Sequence, residues 1–204
     1  MLKLYFFPGA CSLSALIALH EAGLAYEATL ANIRTGKLAD GSDYRAINPL
    51  GYVPYLVLED GTGLCECAVI LQYIADQAPG KNLAPPAGTM PRYHLQEVLN
   101  FIATELHKGF GALFNPAATD EARAQIKTVL AGRLHHLENL LDGKTWLMGE
   151  HFTVADAYLF VVCRWCQHLG INLAPFPRIL ALHERVAARP AAKAALSVEA
   201  SVKL

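Results

Sequence analysis

Leu2-Lys3-Leu4-Tyr5-Phe6-Phe7-Pro8-Gly9-Ala10-Cys11-Ser12-Leu13-Ser14 decides how the rest of the chain is read. A strand-forming run, residues 2–7, meets a Pro-Gly turn and then a helix that opens on a cysteine. A thiol in that place faces unpaired backbone N–H groups and the positive end of the helix dipole. Both stabilise a thiolate, so the position suits a reactive sulfur better than an inert core cysteine.

Outward from this stretch, the first eighty residues mix strand and helix signals. Leu13 to Ala22 reads as a helix stopped by Gly23, and Tyr26 to Ile33 as a second strand. Gly36 to Ala46 is polar and irregular, expected as a loop with a short helix. Tyr55 to Leu58 is strand-like and passes through Glu59-Asp60-Gly61 to Leu64, a hairpin signal. Glu66 to Ala78 has helical periodicity and ends at Pro79-Gly80. The order is β-α-β, then β-β-α.

Prolines and glycines then crowd residues 79–91, which marks a linker. Everything beyond reads as helix. Leu95, Val98, Leu99, Ile102 and Leu106 recur at three- and four-residue steps. A second helix is expected over Asp120 to Leu141, and a third begins at Thr153, with Asp156 placed to complete a capping box. From Val154 to Cys166 that helix is apolar nearly all round, which predicts the centre of a helical core. Two more follow, around Phe176 to Arg189 and Ala191 to Val202. The expected class is therefore an α/β N-terminal domain, residues 1–80, a linker over 81–90, and an all-helical domain over 91–204.

Composition narrows the functional classes. The 204 residues are 53% apolar and 17% charged, a surplus of apolar side chains that suits a subunit interface. A net charge of −1 gives no electrostatic case for nucleic acid or an anionic membrane. No run approaches the ~20 apolar residues that span a bilayer. The strand pattern starts at once, with no leader pattern, and five irregularly spaced cysteines make no disulfide framework, so a reducing cytoplasm is expected. No metal is expected, because Cys65-x-Cys67 lacks zinc spacing and no histidine cluster completes a tetrahedral set. Cys163-x-x-Cys166 falls inside the apolar helix, where thiols act as small hydrophobes.

Three further constellations bear on chemistry. In Asn48-Pro49-Leu50-Gly51-Tyr52-Val53-Pro54, Val53-Pro54 just before a strand is either a cis peptide or an ordinary proline starting an edge strand. Beside Cys11, it would offer the Val53 backbone to an extended peptide. Glu66-Cys67 opens a helix, either as a simple cap or as a cradle for one zwitterionic end of a small ligand. Asn100, Thr104 and His107 share one face by i, i+4, i+7 spacing, which is either solvated or turns His107 toward Cys11. Cys11-x-x-Ser14 has no resolving cysteine within the motif, so a mixed disulfide with an external thiol is the expected oxidation product.

Taken in order, these fragments resemble the glutathione S-transferase superfamily, and within it the bacterial beta class. The carriers are residues 8–14, 48–54, Glu66-Cys67, Arg92-Tyr93-His94, His107-Lys108-Gly109 and Phe152-Thr153-Val154-Ala155-Asp156-Ala157-Tyr158. The resemblance implies a thioredoxin-like N-terminal domain that binds glutathione as co-substrate, a helical domain that lines an electrophile pocket, and a homodimer. By position it places Cys11 beside the glutathione sulfur, Val53 and the cis-proline Pro54 against the cysteinyl part, and Glu66 with Cys67 at the γ-glutamyl end. It gives Asn100 and the segment Thr104, Glu105, Leu106 and His107 further contacts, with His107 assisting catalysis. Phe110, Phe114, Trp165 and His168 are the expected electrophile contacts, and Thr153 and Asp156 a structural cap. Three departures from the family pattern stand out: Cys67 where serine is usual, Tyr52 where glutamine is common, and Gly36 at a frequent lysine position, with Lys37 next door for the glycyl carboxylate. The implied activity is conjugation of the glutathione thiolate to small hydrophobic electrophiles. Its rivals are thiol transfer, peroxide reduction or reductive dehalogenation through a Cys11 mixed disulfide, and a non-catalytic scaffold.

Overall fold

Strand β1 (Leu2–Phe6) has Leu2, Leu4, Tyr5 and Phe6 buried, and a strand covered on both faces belongs inside a sheet. In the computed structural model, which describes residues 1–202, β1 is the middle of five strands ordered β3-β2-β1-β4-β5. It runs parallel to β2 (Tyr26–Asn32), with Leu2 opposite Tyr26 and Phe6 opposite Leu30. It runs antiparallel to β4 (Tyr55–Val57), with Tyr5 opposite Tyr55. A parallel pair needs a crossover, and helix α1 (Ser12–Ala22) supplies it. The hairpin from β4 to β5 (Gly63–Leu64) closes through Leu58 N–H to Thr62 C=O at 2.8 Å, with Asp60 accepting from Thr62 N–H at 2.9 Å. One local expectation changes. Within Gly36–Ala46 the chain forms β3 (Lys37–Leu38) on β2 as well as the short helical turn Tyr44–Ala46. A two-residue strand is too short to show alternation in sequence.

The chain divides into two units, Met1–Ala84 with the stretch from Ala188 onward, and Pro85–Ala187. In the first, Tyr5, Phe7, Ala31, Tyr44 and Val53 form one core cluster on the sheet. Helix α1 is buried from Ser12 to Leu19 between its neighbours α2 (Cys67–Asp76) and α8 (Pro190–Ser201). Ala192 and Ala195 are the buried residues that let α8 approach closely, and Arg189 at its start grips Glu21 of α1 with both nitrogens, Nη2 to Oε2 at 2.8 Å.

The second unit is helical: α3 (Met90–Phe101), a π-helical turn (Ile102–His107), α4 (Lys108–Leu113), α5 (Asp120–Leu140), α6 (Val154–His168) and α7 (Pro177–Ala188). Every residue of α6 from Val154 to Cys163 is buried, so this helix is the core the apolar run foretold. Gly109 of α4 is fixed by packing, because a Cβ there would sit 2.8 Å from Leu130 of α5. Buried Glu138 of α5 accepts from the backbone N–H groups of Arg178 and Ile179 at 2.9 and 3.0 Å, holding the free amides at the start of α7. No helix among the described residues is long and apolar enough to cross a membrane.

Candidate active site

The Pro-Gly turn fixes the cysteine. Ala10 N–H closes onto Phe7 C=O at 3.1 Å, and Gly9, at φ +78°, takes the position that a type II turn reserves for glycine. The Ser12 hydroxyl meets both the N–H and the C=O of Phe7 at 3.2 Å. Glu199 of α8 accepts from Gly9 N–H at 3.1 Å. The result is that Cys11 stands at the N-cap of α1, buried, with its sulfur 3.3 Å from the carbonyl oxygen of Val53.

Val53-Pro54 is a cis peptide, so the edge-strand alternative falls. The loop before it is held from behind: Tyr44 OH and Asn48 Nδ2 both donate to the Tyr52 carbonyl, at 2.8 and 2.9 Å. Burial raises the Tyr44 phenol to about 12, so it stays a donor throughout the accessible range. On the other side lies Glu66, exposed at the N-cap of α2 with φ +66° and ψ 116°, a backbone conformation that side chains other than glycine avoid. Cys67 follows as the first helical residue, buried, with its sulfur 3.1 Å from Ser14 Oγ and 3.8 Å from the Cys11 carbonyl. Cys65 is half-buried near Asn48, and burial, followed by the Glu66 charge, pushes its thiol up. Cys11, Val53 and Cys67 are thus brought together, and Glu66 adjoins them in the chain. Lys37 stands exposed on edge strand β3, at the sheet's opposite edge from β5. A second cation of this unit, Arg34, lies 5.5 Å over the Phe7 ring. Two helix N-termini and a strand-like carbonyl together can hold an extended, anion-bearing thiol peptide.

In the helical unit the π turn changes the expected face. It adds a residue to the i→i−4 ladder, with Lys108 N–H reaching back to Ala103 C=O, and so rotates everything after it. Asn100 and Thr104 are exposed, Thr104 Oγ1 bonding Asn100 C=O at 3.0 Å, but His107 turns inward. Its Nδ1 lies 2.7 Å from Tyr158 OH, and its ring is 5.0 Å from that of Trp165. Phe110 and Phe114 meet the same tryptophan edge-on at 6.1 and 5.8 Å. His168 is exposed at the end of α6. Leu106 is fully buried, so its side chain belongs to the core, and Glu105 pairs with Arg133 at 2.7 Å.

The sequence models for the glutathione S-transferase N-terminal and C-terminal domains match residues 9–77 and 101–190. Glutathione S-transferase GstA of Escherichia coli O157:H7 is 42% identical, the alignment covering 97% of this chain and 98% of that one. The chain belongs to the glutathione S-transferase family. A solved bacterial beta class transferase from Sphingomonas chungbukensis is 43% identical, with a TM-score of 0.93 over 98% of this chain and 100% of that one. A sphingomonad glutathione S-transferase complexed with glutathione is 42% identical, with a TM-score of 0.94 and the same coverage. The thioredoxin-like sheet followed by a helical domain is therefore the family fold.

The remaining expected residues serve the fold. Asp156, fully buried, accepts from Thr153 N–H at 2.8 Å, from the Thr153 hydroxyl at 3.0 Å and from Leu147 N–H at 2.8 Å. The last bond ties the loop before α6 to its first turn. Burial raises this carboxyl to about 6 in spite of the donors. Cys163 and Cys166 are buried, and the hydrogen bond that the protonated Cys163 thiol makes to Cys166, with desolvation, pushes the Cys163 thiol up. Among the described residues no group of His, Cys, Asp and Glu could hold a metal ion. Sequence reasoning missed Tyr44, Ser14, Tyr158, Arg34 and Glu199. Ser14 and Tyr158 lay within quoted motifs without a role assigned to them, and the others carry no local signal.

Proposed function

We propose that this protein is a glutathione transferase: it binds glutathione, favours its thiolate, and directs that sulfur at small hydrophobic electrophiles. The observation that carries the reading is Cys11 at the N-cap of α1, its thiol on the carbonyl of the residue before a cis-proline, in a chain of this family. Backbone N–H groups at the start of α1 stabilise a thiolate held beside them, and binding fixes it for attack. Val53 and Pro54 pair with the cysteinyl part, Glu66 accepts from the γ-glutamyl ammonium, and the first amides of α2, with Cys67, hold its carboxylate. Lys37 meets the glycyl carboxylate. Asn100, Thr104, Glu105, the Leu106 backbone and His107 are assigned further contacts.

For the electrophile, exposed Phe114 supplies the aromatic surface, backed by the buried rings of Trp165 and Phe110, with His168 at its margin. His107, oriented by Tyr158, is its polar member. We assign a cytoplasmic homodimer. Supporting the dimer, Leu50, Tyr52, Val69, Met90 and Tyr93 expose large apolar surfaces. Cys11 is not the conjugating nucleophile. The test is glutathione-dependent turnover of a chlorodinitrobenzene-type substrate by wild type and Cys11→Ala. Activity in both supports the reading, and no turnover by wild type across a broad electrophile panel contradicts it.

A further inference from the structure

The fold sets the Cys67 sulfur against the first turn of α1 rather than leaving it at the surface. That sulfur touches α1 at two points, Ser14 Oγ at 3.1 Å and the Cys11 carbonyl oxygen at 3.8 Å. The Ser14 hydroxyl reaches the same carbonyl at 2.7 Å. A carbonyl oxygen lies about 2.4 Å from its own Cα, so the Cys67 sulfur is within about 6 Å of the Cys11 Cα. Helices α1 and α2 pack side by side, so both thiols lie on one side of the sheet. Closing a disulfide between them requires the Cys11 side chain to leave the Val53 carbonyl, 3.3 Å from its sulfur, and rotate until the two sulfurs meet.

We propose that Cys67 is a resolving thiol for Cys11, giving the protein a second, disulfide-reducing chemistry. The Cys11 thiolate attacks glutathione disulfide, forming Cys11–S–S–glutathione and releasing one glutathione thiolate. The Cys67 thiolate then attacks the Cys11 sulfur, forming the Cys11–Cys67 disulfide and expelling the second glutathione. The two cysteines are oxidised, glutathione disulfide is reduced to two thiols, and the two protein thiol protons pass to those products. Three features favour the second step. Cys67 is the first residue of a ten-residue helix, where a thiolate is stabilised. The Ser14 hydroxyl, which donates to the Cys11 carbonyl, lies 3.1 Å from the Cys67 sulfur and can turn its one proton to that thiolate. Both sulfurs are shielded from bulk solvent, so an internal thiol outcompetes an external one at equal reactivity. Closing the bridge blocks the sulfur site until a dithiol reopens it.

The choice of oxidant rests on reading the first unit as a glutathione site, so the experiment carries two reagents. Wild type, Cys67→Ser and Cys11→Ser proteins are treated with glutathione disulfide, and separately with dithiodipyridine, which needs no tripeptide site. Intact mass and peptide mapping follow. Wild type is expected to lose two hydrogens and carry a Cys11–Cys67 linkage with no retained glutathione, whereas Cys67→Ser retains one glutathione on Cys11. Wild type that retains glutathione on Cys11 as fully and for as long as Cys67→Ser overturns the proposal. A bridge formed with dithiodipyridine alone upholds the thiol pair and refutes the glutathione site. Absence of the bridge with both reagents overturns the pair, whatever glutathione does at Cys11.

Discussion

Replacing Glu66 by glycine should strengthen the fold and weaken ligand binding at a single stroke. A side chain other than glycine at φ +66° costs about 1–3 kcal/mol. Glycine adopts that backbone freely but loses about 0.5–1 kcal/mol through its more mobile unfolded chain. The Glu66 side chain is exposed, so its removal forfeits little packing. The net expectation for Glu66→Gly is a gain of about 0.5–2 kcal/mol, a rise of a few degrees in Tm for a chain of this size. Glu66→Ala keeps the strain and should show no such gain. Both variants lose the carboxylate proposed to bond the γ-glutamyl ammonium, a contact of about 1.5–3 kcal/mol, so glutathione affinity should fall roughly ten- to a hundredfold. Thermal unfolding and calorimetric titration of both variants against wild type give the four numbers needed. The reasoning is refuted if the glycine variant is no more stable than the alanine variant, or if the alanine variant binds glutathione as wild type does.

Cys11→Ala should keep most conjugating turnover while losing every glutathione adduct at that position, read by steady-state kinetics beside intact mass. Asp156→Asn leaves one acceptor oxygen where Leu147 and Thr153 N–H groups use both, so unfolding free energy should drop by about 1–3 kcal/mol in urea titrations. Because the folded Asp156 carboxyl is raised to about 6, the native state holds its proton longer than the unfolded chain. Its contribution therefore declines as pH rises from about 4 to about 6, by roughly 3 kcal/mol, and the asparagine variant should lose that slope. Tyr44→Phe removes one of two donors to the Tyr52 carbonyl, with an expected loss of about 1 kcal/mol in stability and a higher KM for glutathione. An unchanged KM would show that the loop before Pro54 does not depend on this bond.

What local pattern specifies was legible in the sequence. The strand, Pro-Gly turn and helix around Cys11, the β4–β5 hairpin and the buried helix α6 each carry a periodicity or turn signal within a dozen residues. Asp156 and Thr153 were found because a cap has fixed spacing. The positive φ of Glu66 has no such signature, since nothing in Cys65-Glu66-Cys67 announces a left-handed residue. The π turn was invisible for a related reason: its apolar stripe, Ile102 and Leu106, fits an α-helix equally well, and only His107 reveals the rotation. Ser14 and Glu199 act through partners 53 and 190 positions away, and Tyr44 through a backbone carbonyl eight positions on in an irregular loop, so their roles emerge only when the fold closes. The grouping of α8 with the first unit is of the same kind, because alanine-rich periodicity does not say which neighbour it packs on.

The most direct measurement is the ultraviolet thiolate band of glutathione titrated into Cys11→Ala protein near neutral pH, where residue 11 cannot supply the sulfur. The account predicts that the band grows with bound glutathione and saturates. A titration that stays flat, with glutathione shown by calorimetry to be bound or to be absent, would contradict it.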